Sequence, residues 1–528
     1  MKTLYFNGRV YTGEDFKEAF IVEDDKFVKT GKNDELLNET YDQKVDLEGK
    51  FVCAGFNDSH MHLTGLGNTL NVAKLNEHTD SLSGMIAYLK DFSAKLSPGS
   101  WIKGRGWNQD FFSDVKRMPS KTDLDEVSSN DPIILTRACG HCAVLNSKAL
   151  ELVKIDENTL APLGGAIDYP NGLLYDNAID MIDKYMPAPD KEEIKQMIRS
   201  SCRFLNSFGI TSSQSDDYSS FRQVDPEVIN EAYRELKESG ELTVRVYEQS
   251  NFTTIEDLRR HIEAGHLTGA GDEKFRFGPL KMLGDGSLGS RSACLSRPYA
   301  DDPSTSGFCL FSDVHMNAMV QYANAHGMSV AVHTIGDKCL DQVLNAIELA
   351  LKLNPRTDHR HGIVHCQISR PDQLQKIAAL NLHVYAQSIF LDYDNHIVEA
   401  RVGKELASSS YSWKTLMKKG VSVSNGSDAP VEIPDVMKGI ECAVTRTSID
   451  GCGPYLKDEA FSVKEAIDSF TRIGAFASFE EDIKGMIKEG YLADFVVLDE
   501  DPFESDPYKL HEIKINATYL GGDCVYKR

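Results

Sequence analysis

Residues 56–63, FNDSHMHL, carry two histidines, His60 and His62, one residue apart behind a short apolar run. In a β-strand, residues i and i+2 point to the same side, so both imidazoles would face the same way. At the carboxyl end of a barrel strand that side opens onto the active site, where two imidazoles form a natural pair of metal ligands. An ordinary polar turn is the alternative, because a lone His-X-His pattern occurs often by chance. Other motifs along the chain distinguish a metal-binding pair from a polar turn.

Eight short apolar runs alternate with amphipathic helical segments such as KEEIKQMIRSSCRFLNSF. Such alternation favours βα units and a parallel sheet. Eight strands of this kind predict a (β/α)8 TIM barrel, although an open doubly wound sheet fits the same periodicity. The runs begin at Phe51, Gly209, Leu242, Pro279, Ser329, His361, His383 and Val421.

The spacing of the runs predicts a chain in three parts. The first and second runs are far apart, whereas a βα unit needs only about 30 residues. We therefore predict an inserted subdomain or lid over residues 97–186, after barrel strand 1. Both chain ends are β-rich, so residues 1–50 and 488–528 are predicted to pair into one small sheet domain. The barrel would then comprise residues 51–96 and 187–487.

The ends of the later runs carry further ligand-type side chains. His333 ends strand 5 in VAVHTIGD, His365 ends strand 6 in HGIVHCQ, and Asp428 follows strand 8 in VSNGSDAP. Lys281 lies inside the apolar run PLKMLGDG of strand 4, where a lysine is unfavourable unless it is neutralised or paired. Four histidines, an aspartate and a buried lysine at corresponding positions favour a metal site over satisfied core histidines.

Taken together, these motifs resemble the metal-dependent amidohydrolase superfamily, in particular the branch that contains N-substituted formamide deformylase. The resemblance covers nearly the whole chain and includes GFNDSHMHL, LKMLGDGSLGSRSA, VHTIGD, RHGIVHCQ, SNGSDAPV and EGYLADFVVLDEDP. It implies a β-sandwich built from both chain ends and a homodimer.

The resemblance also implies a binuclear metal site. His60 and His62 would bind one divalent ion, His333 and His365 a second, and a carbamate formed from carbon dioxide on Lys281 would bridge them. Asp428 would bind metal and act as the general base. Imidazole and carboxylate ligands suit zinc, and iron, manganese and cobalt are alternatives.

The resemblance implies an enzyme that hydrolyses a carbon–nitrogen bond of amide type, other than a peptide bond, in a small molecule. Metal-activated hydroxide would attack, while Asp428 takes the proton and delivers it to the leaving nitrogen. A deaminase or cyclic-amide hydrolase of the same superfamily is the alternative, and a non-enzymatic relative is disfavoured because every ligand type is present. Strand 6 often reads Arg-Ile-Glu-His in this branch but Gly-Ile-Val-His here, which leaves the substrate open.

Several residues are weaker candidates. Asp58 would orient the histidine pair or stabilise a turn. His361 would support His365 if strand 6 stays regular, with a structural role at the start of the strand as the alternative. Arg291 would meet a substrate carboxylate or form a surface ion pair. Trp107, in the inserted segment, would contact an apolar substituent of the substrate or belong to the core of that segment.

The sequence Cys139-Gly140-His141-Cys142 suggests a different class of protein, a thiol–disulfide exchanger that uses Cys139 and Cys142. No compact redox domain surrounds it, so this hypothesis is distant. The branch resembled here carries Gly-His followed by Asn and Ala-Leu at this place. His141 is therefore a candidate donor to the substrate or to the developing oxyanion, with a turn-stabilising role as the alternative.

Composition sets the remaining limits. The 57 basic and 80 acidic residues give a formal charge of −23, which disfavours nucleic acid and anionic membranes as partners. Eleven cysteines in scattered positions argue against a disulfide framework. With no secretory signal and no long apolar run, a cytoplasmic location is predicted.

Overall fold

The computed structural model describes residues 1–78, 80–96, 99–137, 142–162, 165–176, 178–186, 188–221 and 223–528. Its centre is a sheet of eight strands that pair in parallel in chain order, from β1 to β8. The strands are β1 (Phe56–Met61), β2 (Ile210–Ser215), β3 (Arg245–Asn251), β4 (Phe275–Leu283), β5 (Val330–Thr334), β6 (Gly362–His365), β7 (His383–Ala386) and β8 (Ser422–Asn425).

The two edges of this sheet meet, so that the barrel is nearly closed. Ser59 Oγ donates to the carbonyl oxygen of Asn425 at 2.7 Å, and the backbone N–H of Asp428 donates to His60 O at 2.8 Å. These bonds join β1 to the end of β8, which an open doubly wound sheet would hold apart. The prediction of eight parallel strands in a nearly closed barrel is therefore confirmed.

Helices connect the barrel strands, as the alternating pattern predicts. Helix Lys191–Ser207 shows the reason: Asp190 accepts from Glu193 N to cap it, and its apolar stripe is buried. The helices of the barrel region are Leu63–Leu70, Lys191–Ser207, Pro226–Glu238, Ile255–Glu263, Asp313–Ala325, Asp337–Leu353, Pro371–Ala379, Leu391–Asp394, Val398–Ala407, Trp413–Lys418, Val436–Thr445, Val463–Ser469 and Arg472–Ala477, with short 3-10 turns at Ser388–Phe390 and Lys457–Glu459.

The run that begins at Phe51 differs from the prediction, because it is divided between two strands. Strand Phe51–Ala54 pairs outside the barrel, and only Phe56–Met61 enters it. Gly55 separates them and donates to Asp494 O at 2.9 Å. A β-carbon at Gly55 would lie 2.2 Å from Thr211 Oγ1, so a larger residue cannot stand at this junction.

Two further sheets contain the strands of both chain ends and share one hydrophobic core, which includes Tyr5, Phe20 and Phe495. In the larger sheet, strand Phe495–Leu498 is antiparallel to Phe51–Ala54. The four-stranded sheet has the order Lys26–Gly31, Ala19–Glu23, Lys2–Phe6, Gln43–Asp46, and helix Asn33–Leu36 lies in the same region of the chain. The six-stranded sheet has the order Asp523–Lys527, Ile515–Leu520, Phe495–Leu498, Phe51–Ala54, Arg9–Tyr11, Phe16–Lys17, and the 3-10 turn Pro507–Glu512 precedes Ile515.

A buried ion pair connects the carboxyl-terminal strands to the barrel. Arg245, the first residue of β3, donates to Asp494 through Nε at 2.6 Å and Nη2 at 2.9 Å. Both side chains are only 4% exposed, and Gly521 N also donates to this carboxylate. Loss of either partner would leave an uncompensated buried charge, so the contact fixes which segments lie together.

Residues Asn68–Pro189 form a second compact unit. Its start at Asn68 precedes the predicted residue 97, because strand Ala73–Lys74 and helix Leu82–Ser93 contribute to the same core. Its sheet has the order Gly165–Asp168, Leu173–Asp176, Cys142–Leu145, Ile133–Arg137, Ile102–Trp107, Ala73–Lys74. The remaining elements are the helices Lys121–Asp125 and Ser147–Leu152 and the 3-10 turns Leu75–Glu77, Gln109–Phe111 and Ile179–Tyr185.

Within the described ranges, every helix is too short or too polar to traverse a lipid bilayer.

Candidate metal centre

The carboxyl ends of β1, β6 and β8 bring three predicted ligands together. One nitrogen each of His60 and His365 and a carboxylate oxygen of Asp428 all lie within 4.8 Å of one another. His60 Nε2 is 3.3 Å and His62 Nε2 is 3.2 Å from Asp428 Oδ1, while His365 Nε2 is 4.0 Å from Oδ2. His333 joins the group from β5, because its Nδ1 is 2.9 Å from His365 Nε2.

Hydrogen bonds behind the histidines decide which ring nitrogen faces the centre. His60 Nδ1 is 2.8 Å from Gln249 Oε1, and His365 Nδ1 is 2.7 Å from Gln387 Oε1. An amide oxygen only accepts, so Nδ1 carries the proton in both rings and Nε2 keeps a lone pair. His62 Nδ1 donates in the same way to a backbone carbonyl oxygen, that of Asp216, at 2.8 Å.

His333 has the opposite arrangement. Its Nε2 lies 3.2 Å from the carbonyl oxygen of Gly286 and 3.5 Å from Asp285 Oδ1. The carbonyl fixes the proton on Nε2, and therefore Nδ1 is the atom with a free lone pair toward His365. Asp285 is held in turn by three backbone N–H groups, those of Cys294, Ile335 and Gly336.

The backbone at two of these positions adopts a conformation that side chains rarely take. His365 has φ = 73° and Asp428 has φ = 59°, in the left-handed region. Residues other than glycine in this region are uncommon and cluster at functional sites. Gly426, between β8 and Asp428, approaches β1 so closely that a β-carbon would be 2.6 Å from His60 N. The fold thus brings the end of β8 directly against the histidine pair.

Burial and charge give these groups unusual protonation. Burial lowers the pKa of His333 to about 3 and that of His365 well below its ordinary value, so both are neutral at pH 7. Burial acts to lower the pKa of His62 as well, but the Asp428 carboxylate 3.2 Å away raises it overall to about 9. Burial alone would raise the pKa of Asp428, but the contacts with His60 and His62 hold this pKa well below the usual range.

The group has the chemistry that a divalent metal requires. Imidazole lone pairs and an ionised carboxylate converge at the C-terminal end of a barrel. Asp428 Oδ1 is buried, yet no described residue donates it a hydrogen bond of normal geometry. A cation at this position would satisfy that oxygen and the lone pairs at once, so the residues fit a bound metal.

Lys281, on β4, is fully buried, as its apolar surroundings predict. Its partner is Asp216, which follows β2 and is equally buried; Lys281 Nζ is 3.3 Å from Asp216 Oδ2. Although burial acts to raise it, the pKa of Asp216 is lowered overall, chiefly by the charge of Lys281. The pair therefore compensates two charges that would each be unfavourable alone.

The structure also places the weaker candidates. Asp58 accepts hydrogen bonds from Ser427 N and Oγ and from His60 N, which ties the end of β8 to β1. Burial raises the pKa of Asp58 to about 7. His361 bonds Asn324 and Val330 N at the start of β6, which is the structural role that the sequence left as the alternative.

The other two described candidates have partners of their own. Arg291 forms an ion pair, which is the alternative that the sequence left open. Its Nε and Nη2 each donate to one carboxylate oxygen of Asp301. Trp107 is fully buried in the core of the unit Asn68–Pro189, and its Nε1 donates to Leu135 O at 2.9 Å. Residues 138–141, with Cys139 and His141, lie outside the described residues, and Cys142 is buried in a strand.

The residues of the site that escaped the sequence reasoning include Gln249, Gln387 and Asp216. Each lies in or directly after a barrel strand, in the motifs VYEQS, HVYAQS and SSQSDD. A search of every strand end for polar residues, rather than for metal ligands alone, would have found them.

Replacing Gln387 with leucine should weaken metal binding about 10- to 100-fold, the usual effect of losing the group that orients a ligand histidine. The His365 ring would lose the acceptor for its Nδ1 proton. A zinc titration of metal-free protein measures the change. The control is Gln342→Leu, which removes an amide that bonds Phe311 O and Asp313 instead. Equal zinc affinity in Gln387→Leu and in the control would contradict the orienting role.

Comparison with known proteins gives a consistent picture. Residues 43–526 match the model of the family described as "Amidohydrolase family". The chain is 34% identical over 542 residues to the amidohydrolase YtcJ of Bacillus subtilis (strain 168), with 100% of both chains covered. It is 25% identical over 505 residues to the N-substituted formamide deformylase of Arthrobacter pascens, covering 92% of this chain and 90% of that protein.

A solved structure is similar over the same length. The crystal structure of an uncharacterized metal-dependent hydrolase from Pyrococcus horikoshii OT3 superposes with a TM-score of 0.78 at 27% identity, covering 96% of this chain and 99% of that one. The family match spans most of the chain, and the barrel carries the converging ligands that the sequence motifs predict. The chain therefore belongs to the amidohydrolase family and is an enzyme that acts on carbon–nitrogen bonds.

Proposed function

We propose that this protein is a metal-dependent hydrolase that cleaves an amide-type carbon–nitrogen bond, other than a peptide bond, in a small molecule. The observation that carries the proposal is the convergence of His60, His365 and Asp428 at the C-terminal end of the barrel. An ionised carboxylate with an unsatisfied buried oxygen, beside neutral imidazoles, is suited to a divalent ion.

The proposed centre holds two divalent ions, with zinc as the favoured metal. His60 and His62 would hold one, His333 and His365 the other, and Asp428 would contribute to their binding. When bound, the metal supplies a Lewis acid that polarises a carbonyl group and acidifies water. The lone pairs of Nε2 in His60 and His365 and of Nδ1 in His333 support this assignment, because hydrogen bonds fix the proton on the other nitrogen of each ring.

Lys281 has a second proposed role. Its amine would add carbon dioxide to form a carbamate, with release of one proton, and the new carboxylate would bridge the two ions. The support is the position of Lys281, fully buried on β4 and directly beside β5, the strand that carries His333. The carbamate nitrogen would keep one N–H, which could still donate to Asp216 Oδ2, its present partner.

Asp428 is the proposed general base. Its carboxylate is ionised at neutral pH and contacts both His60 and His62, so it can accept a proton from water and pass it to the leaving nitrogen. His141 stays a predicted contact of the substrate. We propose no such contact for Arg291, because its guanidinium already pairs with Asp301, or for Trp107, because its indole N–H already bonds Leu135.

The wider organisation is part of the same proposal. The two terminal sheets with a common core would form the family's β-sandwich domain, and Asn68–Pro189 would be the inserted subdomain. A cytoplasmic homodimer that acts on small molecules stays a prediction. The charge of −23 supports the absence of nucleic-acid and membrane partners.

Metal analysis combined with a substrate screen tests this function. Purified protein should contain about two divalent ions per chain, as two ligand sets imply. A panel of N-substituted formamides, N-acyl amino acids and cyclic amides should include at least one substrate. Chelation should abolish its turnover and zinc should restore it. Protein that holds no metal and hydrolyses none of these compounds would contradict the proposal.

A further inference from the structure

Asp216 lies directly after β2, is fully buried, and contacts residues of three other barrel strands. Its N–H donates to Met61 O at 2.8 Å, and its carbonyl oxygen accepts from His62 Nδ1 at 2.8 Å. Its Oδ2 accepts from Asn251 Nδ2 at 2.9 Å and from Lys281 Nζ at 3.3 Å. One residue thus joins β1, β3 and β4 at the ends where the ligands converge.

We propose that Asp216 is a positioning residue of the metal centre, which holds Lys281 through its carboxylate and His62 through its backbone carbonyl. The inference rests on the proposed function, because that proposal makes Lys281 and His62 ligands. It adds a carboxylate directly after β2 that fixes the candidate ligands at the ends of β1 and β4.

The carboxylate is held firmly enough for this task. Asn251 donates to the oxygen that contacts Lys281, and Ser219 N lies 3.4 Å from the other oxygen. Donors from two different segments therefore prevent the carboxylate from rotating away. A lysine has four flexible methylene groups, so its terminal nitrogen needs such a partner to stay in one place. Without it, the amine would be a buried cation with no compensating charge.

The contact of Asp216 with Lys281 can be tested separately from its contact with His62. The carbonyl that orients His62 belongs to the backbone, and a side-chain substitution leaves it in place. The change Asp216→Asn therefore removes the charge opposite Lys281 and keeps the size of the side chain. An effect on metal binding would therefore come from the contact between the Asp216 carboxylate and Lys281.

The neighbouring Asp217 provides a matched control. It is equally buried, but its carboxylate accepts from Thr64 N at 2.7 Å, from Thr64 Oγ1 at 2.9 Å and from Tyr233 OH. Asp217→Asn removes a buried carboxylate from the same turn without touching Lys281. Any general loss of stability near β2 would appear in this variant too.

The experiment is a zinc titration of metal-free protein in bicarbonate buffer, with thermal unfolding as the check of folding. Asp216→Asn should weaken one of two zinc equivalents about 10- to 100-fold, as losses of a ligand's supporting contact do. Asp217→Asn should bind both equivalents as the wild type does. Lys281→Met should lose the same equivalent, and adding Asp216→Asn to it should cause no further loss.

Three outcomes would overturn the inference. They are unchanged zinc binding in Asp216→Asn, an equal loss in Asp217→Asn, and a full additional loss in the Lys281→Met background. If Asp216→Asn does not fold, Asn251→Ala frees the carboxylate while both charges remain, and unchanged binding in that variant would overturn it too. Wild-type protein that binds no zinc would contradict the proposed function itself, which is a distinct result.

Discussion

Replacing His60 and His62 together with alanine should abolish amide hydrolysis and remove at least one metal equivalent. Both imidazoles lie 3.2–3.3 Å from Asp428 Oδ1, so the variant removes half of the proposed histidine ligands. A metal that polarises a carbonyl contributes several kcal/mol, which corresponds to a rate loss of at least about 1,000-fold. Turnover of the best substrate from the screen and metal content per chain measure the result.

The chain offers a matched control for this variant. His359 and His361 are also two residues apart and buried, but they bond Leu380 O and Asn324. Changing both to alanine removes the same number of imidazoles from the barrel and should leave the metal content unchanged. Full activity after loss of His60 and His62 would refute the hydrolase mechanism.

Replacing Asp428 with asparagine should lower kcat about 100- to 10,000-fold, the range for loss of a general acid–base group. Asparagine has nearly the same shape and tolerates the left-handed backbone at this position, where φ is 59°. The fold should therefore persist, while the amide can no longer accept the proton from water. Steady-state kinetics with full metal loading measure kcat and KM.

The control for this substitution is Asp435→Asn. Asp435 caps helix Val436–Thr445 by accepting from Lys438 N, so its loss affects a helix end in the same region of the chain. Asparagine caps helices about as well as aspartate, so this variant should leave both stability and kcat nearly unchanged. An unaltered kcat in Asp428→Asn would exclude Asp428 as the base.

The barrel strands and the ligand histidines were predictable because local patterns encode them. A strand places alternate residues on one side, and parallel strands end at one edge, so His60, His333, His365 and Asp428 could be expected together. The structure joins them by contacts of 2.9 Å between His333 and His365, 3.3 Å between His60 and Asp428, and 4.0 Å between His365 and Asp428. The convergence of these candidate ligands therefore follows from their positions at the strand ends.

The supporting contacts were not predictable in the same way. Gln249 supports His60 from a strand 189 positions later, and Asp216 meets Lys281 across 65 positions. Such pairs depend on the register of neighbouring strands, which one sequence does not give. The division of the Phe51 run at Gly55 was not predicted for a related reason. The apolar pattern continues across Gly55, whereas the strands that pair on either side of it differ.

The pairing of strand Phe495–Leu498 with Phe51–Ala54 has a consequence for synthesis on the ribosome. The partner of Phe51–Ala54 is made about 440 residues later, roughly 20 to 90 seconds at about 5–20 residues per second. Until then, four residues that end fully buried have no sheet neighbour on that side, and Arg245 has not yet met Asp494. In the nascent chain this apolar segment therefore lacks one of its pairing strands for most of synthesis. Such a segment is a target for chaperones during translation.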